Sequence, residues 1–231
     1  METQTRIKSE LHVVERRTSL NVTYNDKSLS FISPAFGPGT YAEVGSQILE
    51  AKLQQPTMEQ QAALVHAAWQ DPKEKYRADI ISKLKSGWLW CFNVLRYTPE
   101  GVYIQPIPKI EGGKVLMDES ELVKRLESGS SEVRFVSYGF KIGYQSSREL
   151  EKNPFVIGLV GGEEGAQMLA EIADKYKRQP YVWTLSPVDK PETRVAALSS
   201  NWDFGDGLGV GGGRGGDWGG YAFGVSSEGA E

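Results

Sequence analysis

The chain carries one thiol, Cys91, and two imidazoles, His12 and His66. Nucleophilic catalysis would need that thiol beside a base and open enough to ionise. Cys91 lies inside Trp88-Leu-Trp-Cys-Phe-Asn-Val-Leu95, the most apolar stretch of the sequence, where a cysteine packs as a small inert hydrophobe. His66 flanks a stripe of Met58, Ala62, Val65 and Trp69 at helical spacing, the place of a half-buried structural histidine. His12 sits near Glu10 and Glu15 without a recognisable pattern. Positions 12, 66 and 91 match no zinc spacing, so neither a metal nor a cofactor is expected.

Two further segments could do chemistry. Backbone amides at a helix start cradle phosphate, which makes Gly161, Gly162 and Gly165 within Gly158-Leu-Val-Gly-Gly-Glu-Glu-Gly165 an alternative phosphate site. Glu163 and Glu164 argue against it, because they complement the helix dipole themselves and repel a phosphate. The segment also matches neither the dinucleotide fingerprint nor the lysine-bearing phosphate loop, so it reads first as a structural turn. Asn201-Trp-Asp203-Phe-Gly-Asp206-Gly207 has oxygen ligands near a glycine turn. As a calcium loop it places the third acid one position late and lacks the closing glutamate.

The last thirty-one residues differ from the rest. Ten of the sixteen positions from Gly205 to Gly220 are glycine, a density that maximises the entropy lost on ordering. Aromatic residues bracket it, namely Trp202 and Phe204 before, and Trp218, Tyr221 and Phe223 after. The expectation is a segment mobile between Gly209 and Gly216 and anchored at its aromatic ends, since exposed apolar clusters are unfavourable. Arg214 within Gly212-Gly-Arg-Gly-Gly216 is a single copy of an element that RNA-binding tails repeat. From Asn201 onward five acids face one base, which accounts for the whole net charge of −4. The preceding residues are balanced, so non-specific nucleic-acid binding is disfavoured, although a local basic patch escapes such a count.

These groups need a framework. Leu20, Val22 and Tyr24 alternate with polar neighbours, Asn25-Asp-Lys27 makes a turn, and Leu29, Phe31 and Ile32 resume the pattern, which predicts a hairpin within residues 11–33. Thr40 is placed to cap one helix, Thr57 with Gln60 a second, and Pro72 to open a third that ends at Gly87. Trp88 to Leu95 is apolar on both alternating faces except at Asn93, the signature of a strand covered on both sides. Thr98-Pro-Glu-Gly101 turns the chain into a partner strand, Val102 to Gln105. Asp118 with Glu121 resembles a capping box, Val133 to Tyr144 is strand-like, and Phe155–Val160, a helix from about Glu163 to Lys177 and Tyr181–Leu185 read as strand, helix, strand.

The resulting expectation is an α+β fold, with a mixed or mainly antiparallel sheet and helices packed on at least one face, over residues 10–200. A glycine-rich acidic tail follows over 201–231. A single cysteine, no apolar signal in the first ten residues and no long apolar run predict a soluble cytoplasmic protein. With few reactive residues, the leading reading is a binding or assembly protein that meets a protein partner or another copy through Trp202, Phe204, Arg214, Trp218, Tyr221 and Phe223. The rival is an enzyme acting on a phosphorylated or nucleotide substrate at Gly161–Gly165. Trp183 also falls near a strand end, where aromatics serve as binding platforms as well as packing.

Overall fold

The strand Trp88–Tyr97 organises the molecule because both its faces are apolar and buried. Trp88, Trp90, Phe92 and Val94 point to one side, and Leu89, Cys91, Leu95 and Tyr97 to the other. Asn93 falls on the second side, fully buried. Its Oδ1 accepts from the Met58 backbone N at 2.6 Å and its Nδ2 donates to the Leu159 carbonyl at 3.0 Å. One is a first-turn donor and the other a last-turn acceptor, groups a helix cannot satisfy internally. A single polar residue in an apolar strand therefore ties two helix ends to the sheet.

The computed structural model describes residues 18–24, 27–70, 74–106, 108, 110–111, 114–115, 117–200 and 206–226. In chain order the first elements are β1 (Thr18–Tyr24), β2 (Lys27–Ser33), β3 (Phe36–Gly39), α1 (Tyr41–Glu50), α2 (Met58–Gln70), α3 (Lys75–Ser86), β4 (Trp88–Tyr97) and β5 (Gly101–Gln105). Then come β6 (Ile110–Glu111), β7 (Lys114–Val115), α4 (Glu119–Glu127), β8 (Arg134–Ser137), β9 (Gly143–Tyr144), α5 (Ser147–Leu150), α6 (Pro154–Val160) and α7 (Glu163–Ala173). The chain closes with β10 (Tyr181–Trp183), β11 (Glu192–Ser199), β12 (Gly209–Arg214), β13 (Gly220–Ala222) and β14 (Val225–Ser226).

A nine-stranded sheet runs β3-β13-β4-β11-β12-β10-β9, with β5 and then β8 continuing from the second half of β4. It is mixed, because β10 lies parallel to β12 and β13 parallel to β4 while its other pairs are antiparallel. β1, β2 and β14 form a smaller sheet, and β6 pairs β7. Helices α2, α3, α6 and α7 bury their apolar sides against one face of the large sheet, where Leu89, Leu95, Val182, Ala196, Leu198 and Val210 meet them. The opposite face carries Trp88, Trp90, Phe92 and Val195, covered in part by Tyr41, Val44 and Ile48 of α1. The fold is α+β, as the residue pattern predicts.

The local signals at helix starts hold. Thr40 and Glu43 form a reciprocal capping box on α1, and Thr57 and Gln60 do the same for α2, each cap contributing about 1 kcal/mol. Asp118 accepts from the Ser120 and Glu121 amides, but the Glu121 carboxylate turns to Arg125 instead of closing the box. α3 starts at Lys75 with Glu74 as its cap, and Pro72 lies outside the described residues. The β1–β2 and β4–β5 hairpins stand as expected, with Tyr97 opposite Val102 across the turn.

Two expectations are corrected. Phe155–Val160 is helical, because Asn153 caps it, Pro154 presets its first turn, and Gly161 ends it in a left-handed conformation at φ 87°. A six-residue apolar run suits a buried strand and a buried helix equally, and these flanking residues decide. The second correction concerns the expected mobile stretch Gly209–Gly216. Gly209–Arg214 is an inner strand hydrogen-bonded to β10 and β11, and residues 207–212 are buried. Glycine is required there by neighbours from elsewhere in the chain. A Cβ on Gly211 would fall inside the Trp183 indole, and one on Gly212 would meet Leu95 Cδ2 at 2.5 Å on the other face.

Candidate functional site

Of the reactive side chains, the two among the described residues, Cys91 and His66, are engaged by the fold. Cys91 has no exposed surface, and burial pushes its thiol far above the usual range, which removes the thiolate a nucleophile needs. His66 on α2 places Nε2 2.7 Å from Glu171 Oε2 on α7. That hydrogen bond, reinforced by Gln167, holds the Glu171 carboxyl below the usual carboxylate range, so the pair is a clasp between two helices. His12 and residues 201–205 lie outside the described residues. Among the described residues no three of His, Cys, Asp and Glu come together as metal ligands. No helix among them is long and apolar enough to cross a membrane.

Gly158–Gly165 joins two helices, α6 and α7, and not a strand to a helix. Gly161 closes α6 by donating to the Ile157 carbonyl at 2.9 Å, Gly162 precedes α7, and Gly165 packs on Val160. The protein's own charges occupy the space beside this turn. A Cβ on Gly161 would meet Arg134 Nη2 at 2.7 Å and Glu59 Oε2 at 3.0 Å. Arg134 Nη1 donates to the Gly158 carbonyl at 3.1 Å, and Glu163 and Glu164 fill the first turn of α7. The arrangement satisfies a helix end and leaves an incoming phosphate facing three carboxylates.

Of the C-terminal residues singled out from sequence, Trp202 and Phe204 are outside the described set, as is the side chain of Arg214, whose backbone pairs with Val195. Phe223 has no exposed surface and belongs to the core, so its ring offers nothing to a partner. Tyr221 is half-buried with the Lys83 ammonium 5.1 Å from its ring centre. Trp218 is open, 55% exposed.

The sheet assembles another set of rings from separate segments. Tyr144 and Tyr181 meet edge to face at 4.8 Å, and Trp183 meets Trp88 the same way at 5.4 Å. Strand register explains how they reach one another. Tyr181 lies opposite Gly209, itself opposite Ser199, and Trp183 opposite Gly211, itself opposite Ala197. Small residues form the floor, and the large rings of β4 and β10 lean across it. Exposure rises outward along the stripe, from Trp88 at 3% through the half-buried Trp183 and Tyr181 to Tyr144 at 48%, with Ile142 open beside it. Edge-to-face rings hold one another in place, so the outer rings are an apolar surface of fixed shape. The alternation of Tyr181 and Trp183 around buried Val182 is the sequence signal that points here. It becomes legible only once the glycines of β12 are known to lie beside it.

A scan against protein-family models and a search of curated proteins each returned no match. A solved structure described as "Accommodation of massive sequence variation in Nanoarchaeota by the C-type lectin fold" is similar over 92% of this chain and 99% of its own, with a TM-score of 0.56 and 17% identity. At that identity the likeness concerns architecture alone, and this chain's architecture is similar to the C-type lectin fold.

Proposed function

We propose that this is a soluble, cytoplasmic, non-catalytic binding protein that docks a protein surface, a partner or a second copy, on the aromatic stripe. The observation that carries the reading is the outward end of that stripe, where Tyr144 and Ile142 stand open beside half-buried Tyr181 and Trp183. Preformed aromatic surface with restrained rotamers loses little entropy on association, and such residues dominate interface energetics. Trp218, 55% exposed and two positions before the Gly220 that pairs with Trp88, is proposed as a second contact for the same partner. The solved structure with a similar fold is described as accommodating massive sequence variation, which suits an architecture that holds while its surface residues change. A reducing compartment suits a lone buried cysteine.

Native mass spectrometry and sedimentation of the natively purified chain test the proposal. A second chain or a stable homo-oligomer is expected, and Tyr144→Ser with Trp218→Ser should weaken it by about 2 kcal/mol or more while leaving the melting temperature close to that of the parent. A protein that stays monomeric and unaccompanied, or a complex indifferent to both substitutions, overturns it.

A further inference from the structure

Away from the aromatic stripe, the C-terminal ends of three helices meet at a cleft of about 420 Å³. Trp69 comes from the last turn of α2 and Lys85 from the last turn of α3, while Lys175, Lys177 and Arg178 follow α7. We propose that this cleft binds a phosphorylated small molecule of nucleotide size, with the four cations holding the phosphates and the Trp69–Tyr176 pair walling the rest.

The charge balance carries the argument. Helix C-termini attract cations by themselves, each end bearing about half a negative charge, so some lysine is expected at any of them. Three half-charges and Asp206, the one acid of the lining among the described residues, offset less than Lys85, Lys175, Lys177 and Arg178 bring. Among the described residues none of Lys175, Lys177 and Arg178 is in a salt bridge, although Lys175 lies close enough to help stabilise the Glu171 carboxylate. Like charges drawn from two separate parts of the chain into one cleft repel unless an anion joins them.

The walls fit a ligand larger than a bare ion. Trp69 and Tyr176 are both half-buried and meet edge to face at 5.5 Å, with the Lys85 ammonium 5.7 Å from the indole centre. Tyr176 donates its hydroxyl to Ser200 Oγ at 3.0 Å, which fixes the ring on the wall. A cleft of this volume is in the range of small-ligand sites, about 300–1,000 Å³. The composition of the first two hundred residues is neutral, and this patch is a local departure from it. It lies at the opposite end of α7 from Gly161–Gly165, where the sequence had suggested phosphate.

Isothermal titration of the full chain with ATP, inorganic pyrophosphate and a single-stranded oligouridylate tests the assignment. ATP is expected to bind, and more tightly than pyrophosphate because only ATP has a ring to set against Trp69. Lys177→Gln with Arg178→Gln, both exposed, should weaken ATP by about tenfold or more, since charge-assisted phosphate contacts are the strong ones, with the circular dichroism unchanged. Absence of heat with both ATP and pyrophosphate, or binding untouched by the double variant, overturns the proposal. Affinity for oligouridylate that exceeds that for ATP and grows with length also overturns it, in favour of a nucleic-acid groove.

Discussion

The two faces of the large sheet solve burial in different ways. On the helix-covered face, Leu89, Leu95, Val182, Leu198 and Val210 interlock with four helices, and every one of them is fully buried. On the other face, large rings lie across glycine, alanine and serine, and burial fades from Trp88 to Tyr144. Aliphatic interdigitation gives a face its cohesion, whereas rings over a small-residue floor leave area facing outward. The difference separates stability from recognition within one sheet, each strand contributing to both through alternate residues.

The sharpest test of the sealed face is Cys91, which sits on it. A thiol reagent should modify the native protein at least about a thousandfold more slowly than the denatured chain, because access requires an opening whose equilibrium constant is about 10³ or larger against it. Rapid native labelling would mean that the helices lift easily. Next in size is Leu95→Ala, expected to cost about 2–5 kcal/mol as a buried truncation, set against Tyr144→Ala at the open rim, expected within about 0.5 kcal/mol of the parent. Equal losses in urea unfolding would erase the distinction between the faces.

A smaller effect probes the glycine floor. Gly211→Ala should lose about 1–3 kcal/mol by overpacking and shift tryptophan emission as Trp183 is displaced. Gly219→Ala is the control, because nothing lies within 4 Å of its added Cβ. The smallest effect is at the His66–Glu171 clasp. A carboxyl held below its ordinary range stabilises the fold above its unfolded-state pKa and loses that contribution as pH falls through the folded-state value. Acid titration of the parent should therefore show a slightly larger loss of stability than His66→Gln, by less than about 1 kcal/mol because the pair lies at the surface with the Glu171 side chain about half exposed. A variant with the same or steeper acid sensitivity counts against the clasp.

What was readable in the sequence was what local residues decide. The β4–β5 hairpin followed from the apolar run Trp88–Leu95 and a Pro-Glu-Gly turn, the cap at Thr40 from its residue type ahead of a helical pattern, and the cap at Thr57 from Gln60 three residues on. β12 was not readable in that way. Its glycines look like a linker because the reason for them, Trp183 on one side and Leu95 on the other, comes from distant segments. Among site residues the same rule applies. Trp218 announced itself as an aromatic in a glycine-rich stretch, while Tyr144 and Trp88 joined the stripe only through strand order, and the basic cleft only through the meeting of three helix ends.

The position of β12 also shapes how the protein must be made. β10 and β11 are joined only through this strand, and β12 leaves the ribosome after both of them and long after β4. Until then β10 and β11 each present an unpaired edge, the kind of template that invites wrong pairing between chains. A nascent chain stalled near residue 200 would hold most of its helices and the β4–β5 hairpin yet lack the piece that fuses the sheet. Chaperone dependence and loss to aggregation should concentrate in that interval of synthesis and end when Gly209–Arg214 slots between its neighbours.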